Sequence, residues 1–301
     1  MNEQIGHLLN MSLESLRGSN FESAEFYLKQ VLELQSSNPH ALRLLGVLSA
    51  QRKQYSEAIG YLNAALDAMP NDALAWSNLG NVYLELKELT HALDAYQKSL
   101  AIDPQYVEAW SNMGNALFAL KRYEEALNHH HHALSLNPQY AQAYSNAGNA
   151  LNHLSRFEEA IASYDQALSL APDYHEAWSN KGAALYQLKR YDEAIFHYDQ
   201  ALSLESNIDW LYGDFLHTKM RVCQWAGHPQ AIKKVQEALM EKKKIIQPFP
   251  LLAISDDPIQ HRSASEIYAA KEYPPNSILG EIPKRTKKDK IRIGYFSPDF
   301  R

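Results

Sequence analysis

The chain repeats itself every 34 residues, and this self-similarity limits its fold more than any other feature. Shifted by that period, Trp76, Trp110, Tyr144 and Trp178 superpose, and four residues later Gly80, Gly114, Gly148 and Gly182 do the same, with Gly46 upstream. Ala24, Ala58, Ala92, Ala126, Ala160 and Ala194 keep the period, as do Phe21, Tyr55, Leu89, Tyr123, Phe157 and Tyr191 three residues before them. Pro70, Pro104, Pro138 and Pro172 close the units. A chain of this kind stacks one supersecondary unit repeatedly, because each copy can bury its apolar face only against its neighbours.

Each marker has a physical task. Glycine lets helix A of a unit press against helix B, where a facing alanine leaves room, and aromatic side chains fill the remaining gaps. Proline after helix B ends one unit and sets up the next. The pattern is identified as the tetratricopeptide repeat. The expected fold is all-α, a right-handed superhelix of about six units beginning near Ile5, Pro39, Ala73, Val107, Ala141 and His175. The first two are less regular: in the unit from Ile5, Ser12 replaces the glycine and Ser36 the closing proline. Beyond Ser206 the markers stop, although Tyr212 stays in phase with Trp178, so a helical cap is expected there.

The stack's curvature makes a concave groove lined by the A helices. Two residues after each aromatic marker stand Asn78, Asn112, Asn146 and Asn180, and three residues later Asn81, Asn115 and Asn149. Asparagine is a poor choice inside a helix because its amide competes for backbone groups, so its recurrence at one register needs a reason. One reading is a structural ladder in which each amide bonds the next helix. The other is a grip on a polypeptide main chain, whose donor and acceptor a carboxamide complements whatever the sequence. The second asparagine of each unit fits the first reading, and the first asparagine the second. All seven are candidate peptide-binding residues.

Helices pack about 8 to 10 Å apart and an extended strand advances about 3.3 Å per residue, so one asparagine meets every third peptide residue. Four hydrogen bonds at about 1 kcal/mol each give only millimolar affinity before ordering costs, which implies weak and broad binding. A third possibility is a solenoid that the asparagines only stiffen.

Other features carry less. A formal net charge of -6 argues against a general nucleic-acid or anionic-membrane surface. A lone cysteine, Cys223, makes no intrachain disulfide, and no basic leader or long apolar run is seen, so a cytoplasmic setting is expected. His129, His130, His131 and His132 include pairs at helical spacing, but His130 takes the core position of Tyr96, Tyr164 and Tyr198, and no Cys or carboxylate set completes a metal shell. A clamp for acidic tails needs several groove cations, and only Arg43 occupies such a position, where other units have Ser77, Ser111, Ser145, Ser179, Glu108 and Glu176. Lys284, Arg285, Lys287, Lys288 and Lys290 read as a solvated linker.

After the repeats, apolar spacing from Asp209 to about Lys244 predicts helix, and a proline-marked irregular stretch follows, broken by a short helix around Ser263 to Lys271. Ile291 to Phe296 alternates like a strand and enters a turn at Ser297, Pro298 and Asp299. A lone strand cannot fold by itself, so an α/β domain is expected to begin here and to have been cut away. Leu211 to Trp225, LYGDFLHTKMRVCQW, resembles the junction helix of bacterial relatives of the O-linked N-acetylglucosamine transferases, and Ile291 to Arg301, IRIGYFSPDFR, resembles the first strand of their catalytic domain. The recurring SNxGN motif is similar to that family's asparagine ladder for acceptor polypeptides.

The resemblance implies a UDP-sugar-dependent protein glycosyltransferase as parent, with the chain in hand inactive, without a cofactor of its own and with the UDP-sugar bound only in the missing domain. The expected division is 5–208 repeats, 209–245 cap and junction, 246–290 linker and 291–301 the start of the transferase domain. The alternative is a free-standing adaptor that assembles partner proteins without catalysis.

Overall fold

Pairing helices every 34 residues requires a chain reversal inside each unit, and one left-handed residue supplies it. Ser19, Lys53, Lys87, Lys121, Ser155 and Lys189 hold φ between 56° and 61°, where a side chain is tolerated at some cost. At Lys121 the reversal is a Schellman turn, with the Lys121 N–H bonded to Phe118 O at 2.8 Å and the Arg122 N–H to Leu117 O at 2.9 Å. The computed structural model describes residues 2–273, which fall into two compact units dividing between Ala226 and Gly227.

The first unit holds six helix pairs. They are α1 (Asn2–Arg17) and α2 (Phe21–Leu34), α3 (Pro39–Gln51) and α4 (Tyr55–Ala68), and α5 (Ala73–Glu85) and α6 (Leu89–Ile102). The series continues with α7 (Val107–Ala119) and α8 (Tyr123–Leu136), α9 (Ala141–His153) and α10 (Phe157–Leu170), and α11 (His175–Gln187) and α12 (Tyr191–Leu204). From α3 onward the A helices start at the residues the repeat marks, while α1 starts three residues before Ile5. Successive A helices from α3 to α11 touch one another and successive B helices make no comparable contact, so the A helices line the inside of the curve.

Packing follows the markers. A Cβ added to Gly80 would come within 2.6 Å of the Tyr96 ring, and one on Gly148 within 2.6 Å of Tyr164, so the close approach of A to B leaves no room for a side chain. The periodic alanines of the B helices are wholly buried. Three tryptophans tie helices α5, α7 and α11 to the loops before them, with Nε1 of Trp76, Trp110 and Trp178 donating to the carbonyls of Pro70, Pro104 and Pro172 at 2.9 to 3.0 Å.

The repeat persists further than its markers. Helix α13 (Leu211–Arg221) packs on α12 with Leu211 buried, and Cys223, at φ 56°, repeats the left-handed turn one period after Lys189. The helix expected from Asp209 to Lys244 is interrupted, because Trp210 and Gly227 take left-handed φ of 67° and 73° and start α13 and α14 (His228–Met240) afresh.

The second unit contains α14, α15 (Pro248–Leu251) and α16 (Pro258–Glu272), which bury Val235, Leu239, Ile246, Leu251 and Ala264. Helix α16 is longer than the expected Ser263–Lys271, because Asp257 accepts the Ile259 N–H at 2.8 Å and Pro258 opens the first turn. The expected strand in 291–301 and the basic run at 284–290 lie outside the described residues.

Candidate functional site

The seven asparagines stand half-buried on the A helices of the inner face, and hydrogen bonds join four of them into two separate clusters. Oδ1 of Asn81 accepts the Tyr96 hydroxyl at 2.7 Å and the Asn112 Nδ2 at 3.0 Å. Two repeats on, Oδ1 of Asn149 accepts the Tyr164 hydroxyl at 2.8 Å and the Asn180 Nδ2 at 2.9 Å. A tyrosine from helix B therefore fixes the second asparagine of its own unit, and that residue fixes the first asparagine of the next. The tyrosine oxygens need this partner: Tyr96 and Tyr164 are fully buried, and burial drives their pKa above the ordinary phenol value.

The network has gaps where the partner residue changes. His130 replaces the tyrosine of its unit, lies wholly buried against Gly114 and bears no hydroxyl to reach Asn115. Nε2 of His130 and Nδ2 of Asn146 are both buried without a hydrogen-bond partner. Burial also drives the His130 pKa down to about 3, so the ring is neutral. Upstream, Leu62 stands in the tyrosine register and Val47 in that of Asn81, leaving a cavity of about 290 Å3 bordered by Gly46, Leu62, Asn78, Asn81 and Val82.

Most of the other polar candidates are engaged within the fold, although Ser77 Oγ is buried without a hydrogen-bond partner. Ser77, Ser111 and Ser145 are buried rather than open to the groove. They face Tyr106, Tyr140 and Tyr174 of the following units. Arg43 pairs with the Asp72 carboxylate at 3.1 Å, and Asp72 caps α5 by accepting the Ala75 N–H. His129 and His132 pack on Trp110, with ring centroids at 5.5 and 4.1 Å. Among the described residues no group of His, Cys, Asp or Glu is placed to hold a metal.

Tetratricopeptide-repeat models match residues 9–73, 80–121, 106–173 and 175–208. The chain is a tetratricopeptide-repeat protein. Among solved structures, a tetratricopeptide-repeat protein from Parabacteroides merdae superposes with a TM-score of 0.63 at 16% identity, covering 88% of this chain and 99% of its own, and so shares the fold. TTC0263 of Thermus thermophilus, a thermophilic tetratricopeptide protein, is 26% identical over 60% of this chain and 99% of its own, with a TM-score of 0.52. YrrB, named as having an unusual peptide-binding site, reaches a TM-score of 0.48 at 19% identity over 60% of this chain and 93% of its own. None of the curated proteins compared with it matches.

The tyrosine anchors are what sequence reading missed in this tetratricopeptide protein. Their signal was present: wherever Tyr96 or Tyr164 occurs, an asparagine precedes it by 15 residues. No described helix is long and apolar enough to cross a membrane.

Proposed function

We propose that the inner face of this tetratricopeptide array binds extended acceptor polypeptide through the amides of Asn78, Asn112, Asn146 and Asn180. The observation that carries the reading is the use made of Asn112 and Asn180. Each commits one amide N–H to the asparagine before it, which orients the group and leaves its Oδ1 and second N–H for another partner. That remaining acceptor and donor complement one peptide unit, and pre-orientation lowers the entropy cost of holding it. Asn81 and Asn149 act as supports in this reading, with Asn115 in the same register.

The parent activity proposed is that of a cytoplasmic UDP-sugar-dependent protein glycosyltransferase. Its support is the resemblance of residues 211–225 and 291–301 to the junction and first catalytic strand of such enzymes. In that reading 5–208 bind acceptor, 209–245 cap the array, and 246–290 lead to the catalytic part. A second reading, an adaptor without catalysis, is supported by the repeat array itself, which can hold a partner protein without any chemistry of its own. The coding sequence past Arg301 separates the two.

The groove itself is tested by titrating a panel of unstructured Ser/Thr-containing peptides against the wild type and a variant with Asn78, Asn112, Asn146 and Asn180 all changed to Ala. Circular dichroism serves as the folding control. Weak, sequence-tolerant binding that disappears in a still-folded variant is the expected result. Unchanged binding makes the asparagines structural only.

A further inference from the structure

The ladder changes character at its last step. One period after Asn180 the inner-face register is occupied by Asp214 of α13, Ala183 stands where Asn81 and Asn149 stand, and Tyr198 keeps the tyrosine position. With alanine in place of asparagine, the step opens into a cavity of about 210 Å3 among Ala183, Tyr186, Tyr198, Asp214 and His217. It lies at the ladder's own register, on the face that carries Asn180.

Among the described residues the Asp214 carboxylate has neither an ion pair nor a side-chain hydrogen bond. Nearby cations are engaged elsewhere. Arg221 bonds the Tyr191 hydroxyl at 3.3 Å with its guanidinium 5.6 Å from that ring, and Lys219 lies over Phe215. Nδ1 of His217 is 3.3 Å from the Tyr186 hydroxyl. A carboxylate partly withdrawn from water without a counter-charge is costly, and burial raises its pKa to about 6. A cation entering the cavity removes that cost, which a neutral group does not.

The geometry points to this cavity as the site that takes a lysine or arginine side chain of the polypeptide held in the groove, with Asp214 as its counter-ion. The inference rests on the groove reading and adds a preference to it: a main chain held without regard to sequence, anchored at one end by a basic residue. The register gives the polypeptide a polarity, because in the series Asn78, Asn112, Asn146, Asn180 and Asp214 only the last, at the α13 end, bears a charge.

The test uses the 301-residue chain and end-capped peptides of otherwise identical Ser/Thr/Gly sequence carrying one lysine, one acetyl-lysine or one norleucine. Fluorescence anisotropy reads the affinities of the wild type, Asp214→Asn and Asp214→Ala. The lysine peptide is expected to bind about tenfold tighter than the other two, the scale of one charge-assisted hydrogen bond, and the advantage vanishes in both variants. Binding of all three peptides with equal affinity overturns the cation site and leaves the groove standing. Absence of binding by any peptide overturns both. Retention of the lysine preference in a folded Asp214→Asn protein also overturns the assignment, because asparagine keeps the shape and lacks the charge.

Discussion

Asn149 accepts two hydrogen bonds on one oxygen, from the buried Tyr164 hydroxyl of its own repeat and from Asn180 of the next. Asn149→Ala strands the tyrosine hydroxyl in the core and frees Asn180, whereas Asn180→Ala removes one half-exposed donor. The expected losses are about 2 to 3 kcal/mol for the first and under about 1 kcal/mol for the second. Urea unfolding midpoints of the two variants check the order. Equal losses mean that Tyr164 finds another acceptor.

The same logic predicts a gain at the gap. His130→Tyr places a hydroxyl where Asn115 stands ready to accept it, which also gives Asn146 the acceptor geometry that Asn112 and Asn180 use. About 1 kcal/mol of stabilisation is expected. The pH dependence changes as well. Neutral His130, with its pKa near 3, is protonated in the unfolded chain below the ordinary value of 6.5, so the unfolded state binds more protons between those limits. Its contribution is complete above pH 6.5 and is lost as pH falls toward 3. Thermal melts at pH 7 and pH 4.5 are expected to diverge less in His130→Tyr than in the wild type.

Helix pairing and the starts of five A helices were legible because glycine, alanine and proline impose local rules that recur at a fixed spacing. The reversal at Lys53, Lys87, Lys121 and Lys189 was not, since lysine carries no signal for a left-handed backbone and adopts it here under the demand of the turn. Nor was the pairing of Tyr96 with Asn81, which depends on how two helices face each other. The interruptions at Trp210 and Gly227 escaped the apolar spacing, which reads straight through them. The inner-face serines were misplaced for a related reason: tyrosines of the next unit cover Ser77, Ser111 and Ser145, and spacing within one helix does not show what the neighbour brings.

Trp110 tests how far the inter-repeat loops depend on a single bond. Trp110→Phe keeps an aromatic ring against His129 and His132 and removes the 2.9 Å bond to Pro104 O. The expected cost is about 1 kcal/mol. Hydrogen exchange is expected to accelerate at the start of α7, around Val107 to Trp110, with less effect in α10. Tyr144, which fills this register one repeat later, shows that the array tolerates the loss.

Asp214 supplies a prediction of opposite sign to His130. Its carboxyl titrates near 6 in the fold against 3.8 ordinarily, so between those values the folded chain binds more protons than the unfolded one, and stability falls as pH rises through that window. Above it the charged group is a standing cost, on the order of 1 to 2 kcal/mol once contact with solvent is discounted. Asp214→Asn removes the ionisation and keeps the shape, so it is expected to raise the melting temperature at pH 7.5 and to leave it nearly unchanged at pH 4, where the native carboxyl is already protonated. A melting temperature that drops at both pH values means that the carboxylate has a favourable partner and that its cavity does not await one.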